Sequence, residues 1–204
     1  MRVSLSGFAA VGKTTVAQIL AERYGWLISS ETARETLITN KYMSIPHDPG
    51  RVFQRSVMEA EFSKLHFCLS NKIEGVIFDR NIVDNLVFAK RQFGKIEIKE
   101  FQSHIDSLRS RYNIEYLYDK TYLIRIPKDE KFIKEALKDK FRAGTTSQSP
   151  SEFIEMGQEW EIDYIKTISK LSGVTNQLSI INHFTDTSND ISSTIKKIAL
   201  DINL

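Results

Sequence analysis

Short apolar runs alternate with stretches of helical periodicity from one end of the chain to the other. The runs have the length of ordinary strands and predict β-structure at 2–6, 26–29, 75–79, 121–126 and 178–182. Apolar residues at helical spacing predict helices from 13 to the glycine at 25, from about 31, at 51–71, 82–93 and 98–112, and before and after the last strand.

This alternation predicts the fold class. Apolar strands separated by helices are typical of a parallel sheet with helices on both faces, and right-handed crossovers make it a doubly wound α/β fold. No low-complexity linker or internal repeat divides the chain, so we expect a single domain over 1–204. Ligands of such sheets lie beyond the carboxyl ends of the strands.

The segment "GFAAVGKT" at 7–14 joins the first predicted strand to the first predicted helix. Its spacing is that of the phosphate-binding loop G-x-x-x-x-G-K-[ST], whose backbone N–H groups and following helix N-terminus favour a polyphosphate. Lys13 would reach the β- and γ-phosphates of ATP, and the Thr14 hydroxyl would bind Mg²⁺. An ordinary glycine-rich turn is the competing interpretation, which this context disfavours. The predicted nucleotide-binding residues are Gly7, Ala10, Val11, Gly12, Lys13, Thr14 and Thr15.

Composition narrows the class of partner. The 204 residues are 41% hydrophobic and 26% charged, with a net charge of +2. These values are ordinary for a globular protein and give no reason to expect nucleic acid or an anionic membrane as partner. No segment approaches the length of a membrane span, and the single cysteine, Cys68, suits a reducing compartment. We therefore expect a cytoplasmic protein, with a homodimer left open.

Charged residues follow the second and third predicted strands. Asp79 ends the third strand, where P-loop proteins place a carboxylate that organises the metal, and Arg80 would face the same crevice. A capping Asp beside a solvated Arg is the alternative. Glu31 and Arg34 follow the second strand, where a carboxylate can orient an attacking hydroxyl and an arginine can hold phosphate, although Glu31 could equally be a helix cap.

Two further features are less specific. Asp84 falls in the first turn of a predicted helix, where we expect it to favour the helix dipole and nothing more, with a substrate contact as the less favoured alternative. Basic residues around Arg142 lead into a small polar segment, and 138–153 is predicted to be a mobile lid over the phosphates. A solvated helix face followed by a loop is the alternative.

The chain resembles the P-loop nucleoside and nucleotide kinases, and among them an AAA-type group similar to thymidylate kinases and ribosylnicotinamide kinases. The resemblance covers the chain to about Gly94 and rests on "GFAAVGKTT", "SETARE", "RVFQRSVMEAE" and "VIFDRNIVDNLVFAKRQFG". It implies a P-loop NTPase fold with a five-stranded parallel sheet, Mg-ATP as donor, an acceptor held under the helix at 51–71, and a helical lid that carries an arginine.

Residue by residue, the resemblance implies phosphate and magnesium ligands at Lys13 and Thr14 and the family's "DR" pair at Asp79 and Arg80. The implied catalytic residues are Lys13, Glu31, Asp79, Arg80 and Arg142, with Thr14 and Asp79 at the metal. The resemblance implies that Gln54 and Arg55 bind the acceptor. Together with Glu31, Arg34, Arg51 and Arg80, whose positions at or near the acceptor side favour the same role, they are the predicted acceptor-binding residues. No repeated-arginine lid motif is present, so Arg142 is assigned from its position and charge.

The resulting hypothesis is an enzyme that transfers the γ-phosphoryl of ATP to a small nucleotide-type acceptor. The arginines favour a nucleoside monophosphate such as a thymidylate-like substrate. A nucleoside or ribosylnicotinamide kinase is the alternative, and a P-loop ATPase acting with a partner is a further one. A GTP-dependent switch is disfavoured, because "NKIE" at 71–74 precedes a strand and ends in Glu where the guanine-reading motif follows a strand and ends in Asp.

Overall fold

The computed structural model describes residues 1–32, 51–93, 98–137, 149–182 and 191–202, without the side chains of 51–55, 92, 93 and 100. The strands are β1 Arg2–Ser6, β2 Leu27–Ser29, β3 Val76–Asp79, β4 Tyr118–Ile124 and β5 Thr175–Ile181. The helices among these residues are α1 Lys13–Tyr24, α2 Arg51–Ser70, α3 Ile82–Phe93, α4 Ile98–Tyr112, α5 Glu130–Leu137, α6 Pro150–Ile168 and α7 Ile191–Asp201.

The five strands form one parallel sheet in the order β2-β3-β1-β4-β5. In the central strand β1, residues 3–6 are all buried, as is every residue of β3. Because successive side chains of a strand point to opposite faces, burial of consecutive residues requires that both faces be covered. The predicted five-stranded parallel sheet with helices on both faces is therefore confirmed.

Two groups of helices provide this cover. Helix α1 packs on β1, β2 and β3 and contacts α7. In the second group α3 contacts both α2 and α6, and α6 also contacts α5. Within the described residues, none of the helices combines the length and apolar character that a membrane crossing needs.

The last two strands begin earlier than the apolar runs predicted. Strand β4 starts at Tyr118 and ends at Ile124, and β5 starts at Thr175 and ends at Ile181. Asp119 and Lys120 in β4 and residues 175–177 in β5 are polar, so the strand starts, including the buried Tyr118, are separated from the apolar runs that marked each strand. Asp119 is nevertheless held in β4, because it accepts hydrogen bonds from the backbone N–H (2.7 Å) and the guanidinium (2.9 Å) of Arg2. Strand β5 is at the sheet edge, where outward polar residues are ordinary.

Helix α6 lies against the loop that follows β1. Phe8 of this loop packs on Phe153 and Trp160 of α6, with ring centroids 5.0 Å and 6.3 Å away. Gly157 leaves room for this approach, because a Cβ there would lie 2.5 Å from Cδ1 of Ile126 and 3.0 Å from Cδ1 of Phe8, and these side chains would have to shift. The loop is thereby supported from below by a packed aromatic cluster.

Helix α6 also begins inside the segment predicted to be a lid. Ser149 is its N-cap, Pro150 opens the helix, and Ser149 and Glu152 form a reciprocal capping box. Residues 138–148 lie outside the described residues, so the lid stays a prediction.

Candidate active site

The loop at 7–14 connects β1 to α1 and contains backbone conformations with positive φ, which non-glycine residues rarely adopt. Gly7 has φ 147°, Ala10 has φ 65° and Gly12 has φ 80°. Gly12 is the N-cap of α1, and no side chain caps this helix end. The first N–H groups of α1 therefore have no capping side chain and are suited to phosphate oxygens.

Gly7→Ala is expected to lower the free energy of unfolding by about 2 kcal/mol or more, because a strained φ alone costs about 1–3 kcal/mol. A Cβ at Gly7 would also lie 2.5 Å from the backbone oxygen of Ile124. The matched control is Gly25→Ala, where φ is 66° but no atom lies within 4 Å, so we expect a loss of about 1 kcal/mol. Urea denaturation of both variants measures the difference, and equal losses would contradict the close packing of Gly7.

Lys13 is buried in the loop. Its Nζ donates a hydrogen bond to the carbonyl oxygen of Phe8 at 2.8 Å. Burial, and secondarily the positive charge of Arg80, lowers the pKa of Lys13 to about 7, although Asp79, Asp84 and Glu31 act in the opposite direction. A bound polyphosphate would add further negative charge beside Lys13 and so favour its ammonium form.

Thr14 and Asp79 meet directly. The Thr14 hydroxyl donates to Oδ2 of Asp79 at 2.5 Å. Asp79 is the last residue of β3, which neighbours β1 in the sheet, so the sheet itself places the carboxylate beside the loop. A hydroxyl and a carboxylate are the hard oxygen ligands that Mg²⁺ prefers, so this pair fits the predicted metal site.

Arg80 joins the ends of β2, β3 and the loop. Its Nε donates to Oε1 of Glu31 at 2.7 Å, and its Nη1 donates to the carbonyl oxygen of Gly7 at 3.2 Å. The guanidinium carbon lies 5.2 Å from the centroid of the Phe88 ring. Burial would lower the pKa of Arg80, but the carboxylates of Glu31 and Asp84 outweigh it and raise this pKa. A φ of 92° fixes the direction in which the side chain leaves β3.

The expectation that Asp84 merely favours the helix dipole was wrong. Asp84 does lie in the first turn of α3, but its carboxylate is fully buried and accepts hydrogen bonds from Ser6 Oγ at 2.7 Å and Asn81 N at 3.0 Å. It also lies 3.5 Å from Nη1 of Arg80. Because α3 starts directly beneath the loop, its first turn points into the protein.

Three residues that the sequence analysis missed complete this buried network. Asn81 caps α3 through Oδ1, which accepts from Val83 N at 2.9 Å, and its Nδ2 donates to the Tyr164 hydroxyl at 2.9 Å. The Tyr164 hydroxyl also lies 2.9 Å from Ser6 Oγ. An asparagine directly before a predicted helix is a cap signal that could have been recognised. Tyr164 and Ser6 had no such signal.

A second missed contact ties the end of β2 to α2. The buried Thr32, which follows Glu31, donates a hydrogen bond to the buried carboxylate of Glu61. Glu61 lies in α2, the helix predicted to hold the acceptor. The position of Glu31 is therefore fixed from both sides, by Arg80 and by the neighbouring Thr32.

Several predicted site residues are not tested by this geometry. Arg34 and Arg142 lie outside the described residues. Arg51, Gln54 and Arg55 are in the first turns of α2, but their side chains are not described. Their roles stay predictions.

A profile of the AAA domain family matches residues 2–166 of the chain. The chain belongs to this family. The match spans the loop, the strand ends and most of α6, and it confirms the predicted family. A search among curated proteins found none that matches this chain.

Several solved structures with a similar fold are kinases or kinase-related proteins. Deoxyadenosine kinase from M. mycoides is 16% identical with a TM-score of 0.64, and all of this chain aligns with 99% of it. NadR protein in complex with NR is 15% identical with a TM-score of 0.62, but this chain spans only 52% of it. Shikimate kinase from Bacteroides thetaiotaomicron is 13% identical with a TM-score of 0.57, over all of this chain and 99% of that one. At these identities the likeness establishes a P-loop kinase fold.

Proposed function

We propose that this AAA domain is an ATP-dependent phosphotransferase that moves the γ-phosphoryl of Mg-ATP to the hydroxyl of a small nucleoside-type acceptor. One observation carries the proposal: a single edge of the sheet holds the phosphate loop, the Thr14–Asp79 oxygen pair and the Glu31–Arg80 ion pair. These are the parts that phosphoryl transfer needs, namely a phosphate cradle, oxygen ligands for a metal and charged groups beside the acceptor.

The donor side is built from the loop. The uncapped start of α1 and the Lys13 ammonium would hold the β- and γ-phosphates, and Thr14 and Asp79 would hold Mg²⁺. When bound, Mg²⁺ would neutralise charge on these phosphates. The Lys13 side chain would exchange its present partner, the Phe8 carbonyl, for phosphate oxygens.

The acceptor side favours a hydroxyl over a phosphate as the attacking group. The Glu31 side chain is 23% exposed and is bound to Arg80, whose Nη1 contacts the Gly7 carbonyl, so Glu31 lies beside the loop. A carboxylate there can orient a hydroxyl or accept its proton, whereas it would repel an attacking phosphate oxygen. Arg80, one of the arginines that favoured a monophosphate, is paired with Glu31 and Asp84 through Nε and Nη1, so that Nη2 is the nitrogen it can offer to an acceptor phosphate.

A nucleoside monophosphate acceptor is the second candidate. It is favoured by Arg51 and Arg55, which lie four residues apart in α2 and so share one side of that helix.

The proposal further includes a single domain over 1–204 and a location in the cytoplasm. Self-association into a homodimer is checked by light scattering of the purified chain.

The test is a panel of acceptors with γ-labelled ATP and Mg²⁺, comprising nucleosides, nucleoside monophosphates, nicotinamide riboside and shikimate. We expect label in a nucleoside-type product whose phosphate is on a former hydroxyl, identified by mass spectrometry. Lys13→Ala protein prepared identically is the control for contaminating kinases. Label in a nucleoside diphosphate would instead favour the monophosphate candidate. Release of inorganic phosphate alone, with every acceptor, would contradict both.

A further inference from the structure

The carboxylate of Asp84 holds the first glycine of the loop together with Arg80. The backbone N–H of Gly7 donates to Oδ1 of Asp84 at 3.4 Å, and the carbonyl of Gly7 accepts from Nη1 of Arg80 at 3.2 Å. The same Nη1 lies 3.5 Å from the same Oδ1. Asp84, Arg80 and Gly7 thus form a closed triangle, in which each residue contacts the other two.

Asp84 cannot contact a substrate itself. It is fully buried, and its second oxygen, Oδ2, accepts from Ser6 Oγ and from Asn81 N. A carboxylate buried in this way is stabilised by a paired cation and by full hydrogen bonding. Its effect on the site must therefore pass through the groups that it holds.

Arg80 is the group through which Asp84 can act. Nε of Arg80 is bound to Glu31 and Nη1 to Gly7 and Asp84. In the part of the chain that the structure describes, Nη2 has no hydrogen-bond partner. The inner edge of the guanidinium is therefore fixed, while the Nη2 donors remain for a ligand.

We propose that Asp84 is a positioning residue for phosphoryl transfer, which locks Arg80 against Gly7 so that the guanidinium stays aimed at the reacting groups. This inference rests on the proposed function. It differs from a role in folding alone, because it predicts that the effect of Asp84 on turnover depends on Arg80.

The experiment is a double-mutant cycle of Asp84→Asn and Arg80→Ala, with kcat and the dissociation constant of ATP measured for all four proteins. Asparagine keeps the size of the side chain but lacks its charge. We expect Asp84→Asn alone to lower kcat at least about 10-fold and to weaken ATP binding less than about 3-fold. In the Arg80→Ala background the same change should alter kcat less than about 2-fold.

Equal factors in the two backgrounds would overturn the proposal, because they would show that Asp84 acts independently of Arg80. A parallel loss of kcat and ATP affinity would overturn it too, since it would indicate collapse of the loop. If Asp84→Asn does not fold, Asp84→Glu replaces it in the same cycle. This variant keeps the buried charge but displaces the carboxylate. Equal factors in the two backgrounds, or a parallel loss of kcat and ATP affinity, would overturn the proposal in this cycle too.

Tyr122→Phe is the matched control. The Tyr122 hydroxyl donates to the Asp201 carboxylate at 2.7 Å, so this variant also removes a hydrogen bond to an aspartate, but among the described residues neither of the two belongs to the hydrogen-bond network of Asp84 and Arg80. Its kcat should stay within about 2-fold of wild type, and a loss as large as that of Asp84→Asn would overturn the specific role of Asp84. Wild-type protein that phosphorylates no acceptor would overturn the proposed function itself. If the wild type is active but the effects of the two substitutions on kcat are additive, only the inference about Asp84 is overturned.

Discussion

Lys13→Ala is expected to lower kcat/KM by about 10³-fold or more while the chain remains folded. Loss of one preorganised charge at a developing anion typically costs about 10²–10³ in rate, and Lys13 is the cation inside the loop that would contact the transferred group. Stability should not suffer. Burial lowers the pKa of Lys13 to about 7, so its ammonium form is held at a cost that alanine removes.

The measurements are steady-state kinetics with the best acceptor of the panel and urea denaturation of the same preparations. Lys170→Ala is the control, since Lys170 is an exposed lysine after α6 and should retain wild-type kinetics. Wild-type turnover in Lys13→Ala would remove the loop from the mechanism. A large loss of stability would instead mean that Lys13 is needed for the fold.

The architecture could be predicted because its determinants are local. The apolar runs around Leu5 and Phe78 mark strands buried on both faces, and the spacing of Gly7, Gly12 and Lys13 marks the loop. Parallel order then follows from the helices between the strands. These local patterns are therefore enough to indicate which edge of the sheet carries the candidate site.

The pairing of charges at that edge could not be predicted. Glu31 and Arg80 were both expected in the crevice, but no sequence pattern indicated that they pair with each other, since their contact depends on β2 lying beside β3. The inward turn of Asp84 depends on the placement of α3 under the loop. Polar residues that tertiary structure buries are indistinguishable in the sequence from polar residues facing solvent.

The starts of the last two strands were predicted wrongly for a related reason. Asp119 and Lys120 lie in β4 because each finds a charged partner elsewhere, namely Arg2 and Asp201. These partners are far away in the chain, so periodicity within a short window could not reveal them. Hydrophobic patterning marked 121–124 of β4 and 178–181 of β5, and it missed the buried Tyr118 because polar residues separate Tyr118 from the apolar run.

Glu31→Gln is expected to lower kcat by about 10²-fold with ATP binding preserved, a typical loss for a group that orients or deprotonates a nucleophile. Glutamine keeps an oxygen that can accept from Nε of Arg80, so the position of the side chain should persist while its charge is lost. Glu22→Gln, at an exposed position of α1, is the matched control and should behave as wild type.

Asp79→Asn separates the two carboxylates of the site. The Asp79 carboxylate accepts a hydrogen bond from Thr14, whereas the Glu31 carboxylate accepts one from Arg80. Loss of the Asp79 charge should therefore raise the Mg²⁺ concentration needed for half-maximal rate, whereas Glu31→Gln should leave that concentration unchanged. Titrations of Mg²⁺ at saturating ATP compare the two variants. If both variants shift the Mg²⁺ requirement equally, Glu31 acts on the metal side of the site. Glu31 would then not be the group that orients the acceptor hydroxyl.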